Sequence, residues 1–215
     1  MTNLDPPEST PTNTRRSLDF VLVSGLPRSG TALMMEMLSA GGWPIMVDRE
    51  RPPDADSPDG HYEWEGIKQL RQRPEVIREA EGKVVRVVST MLPLLPNRHH
   101  YRVLFMRRPI DQVVDSQFRM IARRKGRSED PANTPDEERQ AMIKRLRAHA
   151  EWSVEHLRVS PNFDLFEVDY PALVGQPADW VAKIATFAGR PDTPVAILEQ
   201  MKSAVKPELF HSRGG

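Results

Sequence analysis

The stretch Phe20 to Leu38, FVLVSGLPRSGTALMMEML, leaves a chain few ways to fold. A run of strand formers, Phe20-Val21-Leu22-Val23, meets Gly25-Leu26-Pro27-Arg28-Ser29-Gly30-Thr31. An apolar pattern of period 3.6 then begins at Leu33, Met34, Met37 and Leu38. The order is buried strand, glycine-bearing turn, helix. Gly25 and Gly30 can adopt backbone conformations closed to other residues and allow close approach of a ligand, while the first amides of the new helix have no partners inside it. Those amides, together with the helix dipole, form a cradle the size of a phosphate. Arg28 adds a fixed positive charge, and Ser29 and Thr31 add hydroxyl donors. The plain alternative is a tight strand-to-helix turn with a surface arginine.

The spacing approaches that of a Walker A loop, GxxxxGK[ST], but Thr31 stands at the lysine position and Ala32 at the position of the magnesium-binding hydroxyl. A magnesium-dependent nucleoside triphosphatase is therefore disfavoured. Pro27-Arg28-Ser29-Gly30-Thr31 instead resembles the 5′-phosphosulfate-binding loop of sulfotransferases, Pro-Lys/Arg-Ser-Gly-Thr. That resemblance implies 3′-phosphoadenosine-5′-phosphosulfate (PAPS) as cofactor, held by Gly25, Pro27, Arg28, Ser29, Gly30, Thr31 and Ala32. A transferring sulfuryl group carries less negative charge than a terminal phosphoryl group, so arginine and amides can stabilise it without a metal.

The 215 residues, 39% hydrophobic and 28% charged, suffice for one soluble globular domain with a substantial core. Met1 to Arg16 are rich in Pro, Thr, Asn and Ser and read as a disordered arm, which leaves 17–215 as a single α/β domain. A formal net charge of zero implies no bulk attraction to nucleic acid or membrane. The absence of cysteine excludes disulfides, thiolate metal sites and cysteine nucleophiles. With no apolar run of membrane-spanning length and no signal-like segment, a cytoplasmic protein is expected.

Further along, Gly41 suits the left-handed position past the first helix, and the proline-rich segment 43–60 reads as a long irregular loop. His61-Tyr62-Glu63-Trp64-Glu65 reads either as a helix start with acidic residues in its first turn or as an active-site wall carrying a general base. Sulfotransferases place a His or Glu base downstream of the phosphosulfate loop, and Pro58-Asp59-Gly60-His61-Tyr62-Glu63 resembles the Pro-x-Gly-Tyr-x-Glu stretch of bacterial members. On that resemblance Glu63 is the first choice of base, followed by His61, Glu65 and Asp48. Lys83 to Val88 reads as a second strand in which Arg86 faces either the sheet edge or the site. Pro93 to His100 reads as a loop, with His99 and His100 as surface histidines rather than metal ligands.

Arg102 to Met106 is a third strand, and it runs into Arg107-Arg108-Pro109, with Pro109 suited to the first position of a helix. Sulfotransferases hold the 3′-phosphate with an arginine at a strand end and a serine eight residues on. Arg108 and Ser116 have that spacing, whereas alignment on the proline selects Arg107 and leaves Asp115 in place of serine. Both arginines remain candidates beside Ser116. Arg119 to Arg127 clusters five basic residues, either a solvated face or a border of the nucleotide or of an acidic acceptor. A long helix is expected over 135–159, a fourth strand over Asp164–Val168, a helix around Trp180 to Phe187 and a last one over Val195–Ala204. Asp169 ends the fourth strand where a Walker B carboxylate could stand, but reads as a solvent or capping residue. Lys206 and Arg213 lie in a C-terminal basic segment of the kind that often closes the nucleotide in sulfotransferases.

Strands alternating with helices imply a three-layer α/β/α, P-loop-like fold with a mainly parallel sheet and ligand groups at the strands' C-terminal ends. The resemblance implies in-line sulfuryl transfer to a hydroxyl or amine of a small-molecule or glycan acceptor, with no metal required. The acceptor pocket would lie between the loops 43–65 and 125–136. Two rivals stand beside this reading: an atypical P-loop kinase or triphosphatase using Asp169 and magnesium, and a non-catalytic nucleotide-binding module.

Overall fold

The structure, a computed structural model, describes residues 18–48, 62–124 and 135–206. In chain order the elements are β1 (Asp19–Gly25), α1 (Thr31–Ala40), β2 (Val84–Val88), β3 (His100–Arg107), α2 (Ile110–Arg124), α3 (Asp136–Val159), β4 (Phe163–Asp169), α4 (Tyr170–Gly175), α5 (Ala178–Phe187) and α6 (Val195–Ser203). Short 3-10 helices occupy Glu65–Arg71, Pro74–Ala80 and Ser89–Leu94. The strands form one parallel sheet in the order β2-β1-β3-β4. The connection from β1 leads outward to β2 and the next returns past β1 to β3, so the order reverses between β1 and β3. In open parallel sheets a ligand crevice forms outside the carboxyl ends at such a reversal.

Strand side chains alternate between two apolar layers, as a period of two requires. Val21, Val23, Leu104, Met106 and Val168 face α1, α4, α5 and α6, where Met34, Leu38, Leu173, Ile184 and Met201 complete one core. Phe20, Leu22, Val85, Val103 and Phe105 face the 3-10 helices and α3, against Leu70, Ile77, Val154 and Leu157. Both faces are covered, which is why β1 reads as a continuous apolar run rather than an alternating one. α3 is long enough to overrun the sheet. Ala150 meets Leu26, the residue after β1, while Leu157 lies in the second core layer, so the half of α3 before Ala150 stands beyond the strands' C-terminal ends. There it packs on α2.

Several expectations need correction. Gly41 is not the left-handed residue after α1: its φ is −76°, and the positive φ falls on Gly42 at 77°. Pro109 precedes α2 rather than opening it, and its carbonyl accepts the amide of Val113 at 3.1 Å. The segment Pro93 to His100, read as a loop, opens with the last two residues of the 3-10 helix Ser89–Leu94 and ends in β3, to which His100 already belongs. His99 is not a surface residue. It is 1% exposed, its Nδ1 accepts the Leu18 amide at 3.2 Å, and its Nε2 lies 3.3 Å from Glu75.

Candidate active site

The turn between β1 and α1 is built from conformations that few residues tolerate. Gly25 has φ 146°, and a Cβ there would lie 2.5 Å from Ser29 Oγ and 2.9 Å from the Met106 carbonyl of the neighbouring strand. Gly30 has φ 101°, and a Cβ there would lie 2.2 Å from the Tyr170 ring at the start of α4. Both glycines are thus fixed by close packing as well as by backbone. Between them Arg28 takes φ 73°, a left-handed conformation costing a non-glycine residue roughly 1–2 kcal/mol. The turn closes through Ser29 N–H to the Leu26 carbonyl at 3.1 Å. No side chain caps the N-terminus of α1, so its leading amides face the turn. Ser29 and Thr31 are buried, and Ser29 Oγ has no hydrogen-bond partner in the folded chain. A buried hydroxyl without a partner is costly, and here it lies within an anion cradle.

The strand-end arginines part ways. Arg107 follows the parity of Val103 and Phe105 toward the α3 layer, where its Nη1 lies 3.5 Å from Glu167, a carboxylate that Arg158 also engages. Arg108 turns to the loop. Its Nη1 donates to the Arg28 carbonyl at 3.2 Å, its Nε to Gln112 at 3.1 Å, and its guanidinium stacks 5.0 Å from the Tyr170 ring centroid. Ser116, buried one turn further along α2, accepts a hydrogen bond from Arg28 Nε at 3.0 Å. Gln117 reaches the Pro27 carbonyl at 3.4 Å. α2 is thereby stitched to the loop, and Arg28, Arg108 and Ser116, far apart in sequence, converge at the β1/β3 reversal. A cavity of about 270 Å3 opens beside them, lined by Leu26, Ser29, Arg107, Arg108 and Asp169 among others.

The base candidates separate as well. Asp48 accepts the amide of Glu65 and so caps the first 3-10 helix, and Glu65 pairs with Lys68 at 2.6 Å. His61 lies outside the described residues, as does Arg213. Glu63 sits beside β2, its carboxylate 3.9 Å from Arg86 Nη1. Arg86 faces the α1 side of the sheet, in register with Val23, and burial lowers its pKa while Glu63 opposes that fall. Lys206 pairs with Glu36 of α1 at 3.3 Å. Asp169 accepts the Ala172 amide at 2.8 Å as the N-cap of α4, the capping role expected of it. Among the described residues no group of three or more His, Asp or Glu is placed to hold a metal ion. Nor is any helix among them long and apolar enough to cross a membrane.

Three members of the cluster were not singled out from sequence: Tyr170, Gln112 and Gln117. Gln112 carried a usable signal, four residues after Arg108 at the start of a helix. Tyr170 carried only its position immediately after a strand.

The fold is shared with known structures. Sulfotransferase STF1 from Mycobacterium tuberculosis superposes with a TM-score of 0.53 at 14% identity, covering 92% of this chain and 76% of that one. Retinol dehydratase, solved with androsterone and the inactive cofactor PAP, superposes with a TM-score of 0.50 at 18% identity, covering 91% of this chain and 66% of the other. A comparison with curated protein sequences gives no significant match. The family model described as the sulfotransferase domain matches residues 18–208, the whole sheet and every helix described above, and the chain belongs to that family.

Proposed function

We propose that this chain transfers a sulfuryl group from PAPS to a hydroxyl or amine of a small-molecule or glycan acceptor, by in-line displacement. The observation that carries the reading is the bond from Arg28 to Ser116, braced by Arg108, which joins the phosphosulfate-loop motif to the 3′-phosphate motif at the carboxyl ends of the two central strands. The residues present fit the cofactor: a glycine-lined cradle, uncapped helix amides, the buried Ser29 hydroxyl and two guanidiniums face the same place. When bound, PAPS supplies the activated sulfuryl group and two separated anions, the phosphosulfate and the 3′-phosphate.

Arg28 and the amides of Ser29 to Ala32 would hold the phosphosulfate, with Thr31 adding a hydroxyl. Removing one such electrostatic stabiliser typically lowers a rate on the order of a hundred- to a thousandfold. Arg108 with Ser116 would take the 3′-phosphate, a choice favoured over Arg107 because Arg108 is bonded to the loop whereas Arg107 is paired with Glu167. Glu63 would accept the proton of the acceptor hydroxyl at its carboxylate, which lies 3.9 Å from Arg86 Nη1. His61 is the second choice for that role. A magnesium-dependent P-loop mechanism finds less support, since Asp169 caps α4 and the loop lacks both lysine and adjacent hydroxyl.

The test is calorimetric titration with adenosine 3′,5′-bisphosphate in EDTA, against 5′-AMP and ADP, on wild type, Arg28→Ala and Ser116→Ala. Binding that requires the 3′-phosphate and weakens about tenfold or more in each variant is expected, since each removes a charge-assisted hydrogen bond. No binding, or a preference for ADP in parallel titrations with magnesium in place of EDTA, would sink the reading.

A further inference from the structure

The polar side chains that line the cavity beside the loop are two cations and a hydroxyl, with one exception. Arg107, Arg108 and Ser29 are joined there by Asp169, the sole carboxylate among the described lining residues. Two contacts fix where Asp169 stands. In the β3/β4 ladder it lies opposite Arg107, and the residue after it, Tyr170, carries the Arg108 guanidinium 5.0 Å from its ring centroid. Only part of the carboxylate is engaged. Oδ1 accepts the Ala172 amide at 2.8 Å, and among the described residues Asp169 forms no ion pair, since Arg107 turns to Glu167 at 3.5 Å instead. An ionised carboxylate can accept about four hydrogen bonds over its two oxygens. Asp169 is exposed, so its second oxygen is left to accept from a ligand. Ser29 Oγ, in a residue only 1% exposed, has no partner and borders the same cavity, which marks it independently as a place a polar ligand enters.

A carboxylate beside a phosphate site is repelled by the phosphate unless a donor stands between the two. A cationic donor is disfavoured there by Arg107 and Arg108, whereas a neutral O–H suits both the carboxylate and its neighbours. PAPS carries such a group: the ribose 2′-hydroxyl, on the carbon next to the one bearing the 3′-phosphate that Arg108 and Ser116 would hold. We infer that Asp169 accepts a hydrogen bond from the ribose 2′-hydroxyl of the cofactor and so selects the ribonucleotide over its 2′-deoxy counterpart. The inference rests on the sulfotransferase reading above and adds the sugar to what that site recognises. The cap on α4 contributes as well. With Oδ1 tied to the Ala172 amide, the side chain is already ordered, and little further ordering is needed when the second oxygen is used.

The test is calorimetric titration of the full chain with adenosine 3′,5′-bisphosphate and with its 2′-deoxy analogue, in wild type, Asp169→Asn and Asp169→Ser. Asparagine and serine cap helices about as well as aspartate, so α4 is kept in both variants, and thermal melts check that it is. Asparagine preserves the shape and removes the charge, while serine removes the reach as well. Wild type is expected to bind the ribose compound roughly tenfold or more tighter than the deoxy analogue, as a hydrogen bond to a charged group warrants. That ratio should shrink in Asp169→Asn and approach unity in Asp169→Ser. Affinity for the deoxy analogue should not fall in either variant, because each removes a negative charge from beside the phosphate. A wild type that binds the two compounds alike overturns the inference, as does a preference that persists in Asp169→Ser. Equal weakening of both compounds in the variants also overturns it, since that is the effect of a residue acting only through α4. Failure of the underlying reading shows separately, as a wild type that binds neither compound.

Discussion

Arg107 and Arg108 show how much one residue's placement decides. They are chemically identical neighbours, yet a strand sends consecutive side chains to opposite faces, so one meets Glu167 and the other meets the loop. Arg108→Ala is expected to weaken binding of adenosine 3′,5′-bisphosphate about tenfold or more, and Arg107→Ala by no more than about twofold, its ion pair being partly exposed. Parallel titrations of the two variants check this, and the reverse order would move the 3′-phosphate site to the α3 side. At this scale the loop itself was legible in sequence, because Gly25 to Thr31 carry their chemistry within one local motif. The arginine pair was not, because spacing alone does not say which face of β3 looks toward the loop. Tyr170 was hidden for a related reason: its partners, Gly30 and Arg108, are brought to it only by the pairing of β3 with β4.

The regular elements were read well where their period was long. All four strands and the helices α1, α2, α3, α5 and α6 lie where apolar patterning placed them. The start of the 3-10 helix Glu65–Arg71 was one of two readings of its segment, whereas the other two 3-10 helices and α4 were missed because six or seven residues carry too few repeats to separate a period of three from an irregular segment. One of these short elements is held by charge. Glu75, in the 3-10 helix Pro74–Ala80, takes an ion pair from Arg98 and a contact from buried His99, whose other nitrogen accepts the Leu18 amide just before β1. Burial pushes the Glu75 carboxyl upward, but the hydrogen bonds and charges of Arg98 and His99 outweigh it and hold its pKa below the ordinary value. A depressed carboxylate pKa contributes stability that is fully present above the ordinary carboxylate range and is lost as pH falls through the lowered value. Glu75→Gln should therefore lower Tm at pH 7, and the gap to wild type should close as the pH is taken below about 4. Thermal melts across that range test it, and a gap independent of pH would show that the contact acts through packing rather than charge.

For the molecule as a whole, one sheet separates two apolar layers, and β3 lies inside it with β1 and β4 on either side. Leu104, fully buried on the α1 face of β3, is a direct probe of that construction. Leu104→Ala is expected to cost about 2–5 kcal/mol. Loss of tryptophan fluorescence, with Trp43 in one layer and Trp64 in the other, should coincide with loss of helical circular dichroism in a single denaturant transition. Separate midpoints would mean that the layers unfold independently. The same sheet also limits how such a chain can vary in length. Inserting or deleting one residue within β3 would exchange the destinations of the two arginines at its end, sending the loop-facing guanidinium to Glu167 and the other to the loop. Relatives descended from this arrangement are free to lengthen or shorten that strand by two residues at a time, whereas a change of one requires a compensating bulge before the arginine pair.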